Sequence, residues 1–176
     1  MARVEVDWIQ TRSDRKFRPL DPDPAAIDVG DIAHSLALQC RFNGHCRTFY
    51  SVADHCVRVS RVVPAEHALW GLMHDAAEAY LADLPRPIKV QMPSYREAED
   101  RLLQVIARRF GLPWPLPEAV HLADNVLLAT EQRDLMGPPP EPWGLTEGPL
   151  PDRIVPLSPE EGRAAFLARF EELTRS

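Results

Sequence analysis

A chain of 176 residues, 45% hydrophobic and 26% charged, is long enough to bury one core of ordinary size, and it is read as a single domain spanning residues 1–176. A formal net charge of -6 argues against broad electrostatic binding to a nucleic acid polymer or an anionic membrane, so a phosphorylated small molecule would need a local basic patch. The first residues lack an apolar core with a cleavage signature, and no segment approaches the ~20 apolar residues of a membrane span. The expectation is a soluble, cytoplasmic protein.

In chain order, Val4, Val6 and Trp8 alternate with polar residues until Ile9, and the polar run Ser13–Lys16 followed by Phe17 predicts a short β-hairpin before Pro19. Asp21–Pro24 is a turn. Asp28 or Asp31 then caps a helix that carries Ile32, Leu36 and Cys40 on one side and ends by Gly44. Ser51-x-x-Asp54 has the form of a capping box and opens a helix to about Val63, with Val52, Cys56, Val59 and Val63 as its inward stripe. His55 shares that stripe. Pro64 suits the first position of the next helix, in which Leu69, Leu72, Met73, Ala76 and Tyr80 surround His74 and Asp75 and the helical stretch continues to Glu78.

Ser94-x-x-Glu97 opens a longer helix through Leu102, Val105, Ile106 and Phe110, stopped by Gly111 and Pro113. Pro117 starts another, with Val120, Ala123, Leu127, Leu128 and Leu135 inward and Asp124 among them, closed by Gly137 and three prolines. The core is expected over about 25–137. A proline-rich loop and a final amphipathic helix starting at Ser158-Pro159-Glu160-Glu161 fill 138–176.

His55, the adjacent His74-Asp75 pair and Asp124 are candidate ligands for one divalent transition metal. An aspartate on an apolar helical face needs a salt bridge or a metal to offset its burial, and two imidazoles with two carboxylates favour manganese, iron, cobalt, nickel or zinc over magnesium or calcium. Glu78, four residues after His74, is a candidate general acid or base, its plain alternative being a surface carboxylate. Arg41 and His45 flank a turn at Gly44 that can meet a phosphate, or can simply complement a helix C-terminus. Asp83 can cap a turn or accept a hydrogen bond from a sugar hydroxyl, and Lys89 adds positive charge nearby. Cys40, Cys46 and Cys56 lack CxxC spacing, so reduced thiols are expected, and a zinc knot of Cys40, Cys46, His45 and His55 is the lesser alternative.

The ordered set His55, His74-Asp75, Asp124 resembles the HD-domain phosphohydrolases. The flanking words are similar to the bacterial and prophage 5'-deoxynucleotidase branch: Arg41-Phe42-x-Gly44-His45, Phe49-Tyr50-Ser51-Val52-Ala53-x-His55, His74-Asp75-Ala76-x-Glu78-Ala79, Asp83-Leu84-Pro85-x-Pro87-x-Lys89, and Ala123-Asp124-x-x-Leu127-Leu128-Ala129-Thr130-Glu131. The resemblance covers most of residues 17–136 and implies an all-α HD-domain helical bundle with a metal between helices.

It also implies hydrolysis of the 5'-phosphate of deoxynucleoside monophosphates by a metal-activated water. Arg41 would hold the phosphate, Glu78 would assist proton transfer and Asp83 would contact the 3'-hydroxyl. Phe42 stands where the branch has a tryptophan that helps exclude a 2'-hydroxyl. A deoxynucleoside triphosphate hydrolase releasing tripolyphosphate, and a non-catalytic nucleotide-binding HD domain, are the alternatives. Relatives are commonly homo-oligomers, dimers or larger rings.

Overall fold

The computed structural model describes residues 7–175. Val4 and Val6 of the predicted alternation lie outside them. Ile9–Gln10 (β1) pairs antiparallel with Lys16–Phe17 (β2), placing Ile9 opposite Phe17. Phe17 is fully buried and stacks on Tyr80 at 4.0 Å, which ties the hairpin to the helical body.

The body consists of α1 (Val29–Leu38), α2 (Val52–Val62), α3 (Ala68–Met73), α4 (Glu78–Leu81), α5 (Arg86–Lys89), α6 (Pro93–Phe110), α7 (Glu118–Leu135) and α8 (Pro159–Thr174). The fold is all-α with a short hairpin, as the periodicities predict. No helix among the described residues is long and apolar enough to cross a membrane.

Local chemistry explains where the predicted boundaries hold and where they move. Asp28 caps α1, accepting from the backbone N–H groups of Gly30 and Asp31. Asp31, the other candidate cap, lies inside the first turn, where its carboxylate accepts from the Ser13 amide and hydroxyl at 2.9 and 2.7 Å. The helix stops at Leu38, short of Cys40, because Cys40 forms a β-bridge with Ser51 instead; Gly44 closes a separate 3₁₀ turn, Phe42–Gly44.

Ser51 caps α2 through the Asp54 amide, but Asp54 does not complete the box. Its carboxylate binds Arg58 and the Leu157 amide instead. Pro64 precedes a 3₁₀ turn, Ala65–His67, rather than starting α3. Pro93, not Ser94, begins α6, and the Ser94-x-x-Glu97 box does not form; Pro117 is the N-cap of α7 rather than its first residue. The reciprocal Ser158–Glu161 capping box does form at the start of α8.

The largest departure is at the site. His74–Ala77 do not continue α3 as a regular helix, because the amides of Ala76, Glu78, Ala79 and Tyr80 bond to carbonyls three residues back. Three-residue spacing rotates each side chain farther per residue than an α-helix does, and it sets His74 and Asp75 on a tightened shoulder between α3 and α4.

α2 is buried on nearly every side, with Val52–Val57, Val59 and Ser60 all inside. It packs closely on α3, while α8 lies across α1 and α2 and α7 meets α2 from another side. Gly71 makes the α2–α3 approach feasible: a Cβ there would sit 2.9 Å from the Ser60 Cα and 3.0 Å from a Val63 methyl. Gly71→Ala should therefore force the helices apart, lowering stability by about 1–3 kcal/mol and weakening metal retention through His74, three residues on. Denaturant midpoints and metal content of the variant check both effects.

After α7 the proline-rich segment is fastened over the body. Leu150 N–H donates to Thr130 Oγ1 (2.9 Å), Ile154 N–H to Asp134 (2.8 Å) and Leu157 N–H to Asp54 (2.9 Å).

Candidate functional site

His55 comes from α2, His74 and Asp75 from the shoulder after α3, and Asp124 from α7. One donor atom each from His55, His74 and Asp75 lies within 4.8 Å of the others, a group that can hold a metal ion. The Nε2 atoms of the two histidines are 3.3 Å apart; Asp75 Oδ2 is 3.3 Å from His74 Nε2 and 3.7 Å from His55 Nε2. Asp124 joins through His55, its Oδ1 3.1 Å from the same Nε2.

The protonation of both rings follows from their other nitrogens. His55 Nδ1 faces the buried Glu131 carboxylate at 2.7 Å, and His74 Nδ1 faces the Gly71 carbonyl at 2.8 Å. A carboxylate and a carbonyl only accept, so each Nδ1 carries a proton and donates it. Were both rings neutral, their Nε2 lone pairs would point toward each other, with Asp75 against both and Asp124 against His55. Such a convergence of acceptors calls for a cation.

The electrostatics show the same demand. Burial and Arg41 oppose protonation of His55, yet Glu131 and Asp124 outweigh them and lift it to about 9. Burial pushes Asp75 up, but His74, His55 and Arg41 hold it far below the usual carboxylate range. Burial likewise raises Asp124, whereas His55 and His74 bring it down to about 2. The donor set, two imidazole nitrogens and carboxylate oxygens, fits a divalent transition metal.

Glu131, which the sequence gives no role, is a buried partner of both His55 and Arg41. It stands seven residues after Asp124, two turns along the same face of α7, so the helix grips His55 from both ends of the ring. Its second oxygen accepts from Arg41 Nε (3.2 Å) and a terminal guanidinium nitrogen (3.0 Å), and another Arg41 nitrogen is 3.7 Å from Asp75. Burial opposes the charge on Arg41, but Glu131, Asp124 and Asp75 sustain it. The i, i+7 spacing from Asp124 was the signal available for Glu131.

A cavity of about 820 Å³ opens against this cluster. Arg41, Phe42, His45, Asp75, Glu78, Asp83, Lys89 and Asp124 all line it, while the two histidines are buried behind. The sequence-predicted residues are thus brought to one place. Asp124, 38% exposed, is the most open of the four metal candidates. Leu128, expected in the core, faces the cavity too.

Glu78 is buried, and one of its oxygens has no hydrogen-bond partner among the described residues. Burial first, then the charges of Asp75 and Asp83, push its pKa well up against the pull of Lys89 and Arg41. The surface-carboxylate alternative does not apply to it. Lys89 is not free for a phosphate, since its ammonium lies 2.7 Å from Glu99 and 3.5 Å from Glu78. Burial raises the Asp83 pKa as well; its backbone N–H donates to Gln39 Oε1 (3.3 Å), and it follows Ala82, which sits at a φ of 78°.

Arg41 opens a loop in which Phe42, Asn43 and Gly44 have φ of 54°, 53° and 79°, a conformation costly for the first two. Cys40 and Cys46 flank it with their sulfurs 3.5 Å apart, and Cys56 is buried in the core. With His55 turned to His74 and Asp124, the zinc-knot grouping is not assembled. Arg86, Asn125 and Trp143 also line the cavity, and sequence periodicity gave no sign of them.

No family model matches the chain. It is 40% identical over 172 residues to the uncharacterized protein YfdR of Escherichia coli (strain K12), covering 96% of this chain and 97% of that protein. It is 37% identical over 193 residues to an uncharacterized protein of Rhodobacter capsulatus, covering 96% of each. The chain belongs to the family of these two proteins.

Proposed function

We propose that this member of the YfdR family is a metal-dependent phosphohydrolase of the HD-domain kind, which removes the 5'-phosphate from deoxynucleoside monophosphates. The observation that carries the reading is the meeting of two imidazole Nε2 atoms with the Asp75 and Asp124 carboxylates at the base of a nucleotide-sized cavity. His55, His74, Asp75 and Asp124 would hold one divalent transition metal, among manganese, iron, cobalt, nickel and zinc. When bound, the metal supplies Lewis acidity that acidifies water and offsets phosphate charge.

The chain's own groups do the rest. Arg41, kept charged and oriented by Glu131, presents its guanidinium edge beside Asp75 to a phosphate oxygen. Glu78, whose pKa is pushed up by burial and its acidic neighbours, hands a proton to the 5'-oxygen as the bond to phosphorus breaks. Asp83, at the cavity wall, accepts a hydrogen bond from the sugar 3'-hydroxyl.

Charge favours the monophosphate. Among the described lining residues Arg41 and Lys89 are both ion-paired, and four carboxylates share the space with them. One observation favours a second reading, triphosphate hydrolysis: Arg86 lines the same cavity, exposed and with no ion pair among the described residues. A panel of deoxy- and ribonucleoside mono-, di- and triphosphates, each with manganese, cobalt, nickel, zinc and magnesium, separates the two. Nucleoside and inorganic phosphate from monophosphates are expected, with weak rejection of ribonucleotides because of Phe42. Tripolyphosphate release with monophosphates untouched would favour the second reading, and nucleotide binding without turnover would favour a sensor.

A further inference from the structure

The metal cluster and Arg41 occupy one end of a cavity whose volume, about 820 Å³, far exceeds a phosphate group. Next along the chain from Arg41, the Phe42 ring lies 5.3 Å from the guanidinium carbon, and 5.8 Å beyond it stands Trp143, tilted by 49°. The rings are tilted rather than stacked, so they do not lie face to face. Trp143 is 37% exposed, and it is the one tryptophan among the described residues lining the cavity.

The segment that carries Trp143 is tied to the body on its C-terminal side. Gly144, at a φ of 68°, turns the chain immediately after Trp143, a conformation that a side chain would strain. Six residues later the Leu150 amide is fixed to Thr130 and its carbonyl to Arg133, so the proline-rich segment is tied to α7, the helix that supplies Asp124. Asn125, next to Asp124, lines the same cavity and offers an amide that can both donate and accept. Trp143 falls outside residues 17–136, which carry the HD-domain resemblance.

We propose that Phe42 and Trp143 form a nucleobase-binding platform, with Trp143 as its main stacking surface and Asn125 reading the base edge. The proposal rests on the phosphohydrolase reading for the phosphate end alone. Stacking tolerates every base, since each has a π-face, so all four deoxynucleotides are accepted with modest preferences. It also gives the proline-rich segment a function, bringing a ring to a site whose remaining parts lie between residues 41 and 131.

The test is calorimetric binding to the full-length, metal-loaded protein, wild type against Trp143→Ala and Trp143→Phe. The probes are deoxynucleoside 5'-phosphonates, which resist hydrolysis, and inorganic phosphate, which lacks a base. Trp143→Ala is expected to weaken the nucleotide analogues roughly 10- to 100-fold, leave phosphate binding unchanged, and be largely rescued by phenylalanine. Equal weakening of both probes, or no weakening of the analogues, overturns the platform. Because no turnover is needed, the platform can hold while the hydrolase reading fails, and the panel above can succeed while the platform fails.

Discussion

Glu78→Gln should slow turnover by about 10²- to 10⁴-fold, the range expected for loss of a general acid, with metal content unchanged. Glutamine keeps the size and polarity of the side chain but has no acidic proton to transfer to a leaving alkoxide. The geometry makes this a sharp test. Glu78 is buried beside the cluster, has one oxygen without a partner among the described residues, and has its pKa pushed up by burial and by Asp75 and Asp83. Its backbone carbonyl is also tied to Gln39, so the position is fixed independently of the side chain. Steady-state rates with metal analysis of the same preparations check the prediction, and near-normal turnover would leave Glu78 a structural partner of Lys89.

Asp124→Ala should lower metal affinity by more than about 100-fold, beyond the 10- to 100-fold typical of losing a partner behind a ligand. Glu131→Gln supplies that lesser comparison. It removes the negative charge behind His55 Nδ1 and beside Arg41 while leaving all four candidate ligands in place. The ordering of the two variants is informative in itself. Full metal occupancy in Asp124→Ala would show that His55, His74 and Asp75 suffice and that Asp124 only holds His55.

The helices were readable because apolar periodicity and caps act locally. Asp28, Ser51, Gly111 and Ser158 mark their boundaries through hydrogen bonds or a left-handed turn within a few residues. What sequence missed depended on distant partners. Asp54 left its capping box for Arg58 and Leu157, and α1 stopped early because Cys40 found Ser51 across a bridge. The tightened turns at His74–Ala77 interrupt a pattern that reads as one helix, since three- and four-residue spacings look alike over a single turn.

The convergence of His55, His74 and Asp75 was legible from residue type and apolar context. Glu131 was hidden because its role appears only when α7 is seen against α2. Trp143 and Arg86 were hidden for another reason: they reach the cavity from a loop and from a four-residue helix, neither of which has a readable period.

The most direct measurement is hydrolysis of a deoxynucleoside 5'-monophosphate in ¹⁸O-labelled water by the metal-reconstituted protein, with metal-stripped protein alongside. One labelled oxygen in the inorganic phosphate, none in the nucleoside, and no reaction without metal is the expected result. Label in the nucleoside, turnover independent of metal, or no phosphate released with any of the five metals would contradict water attack on phosphorus at this site.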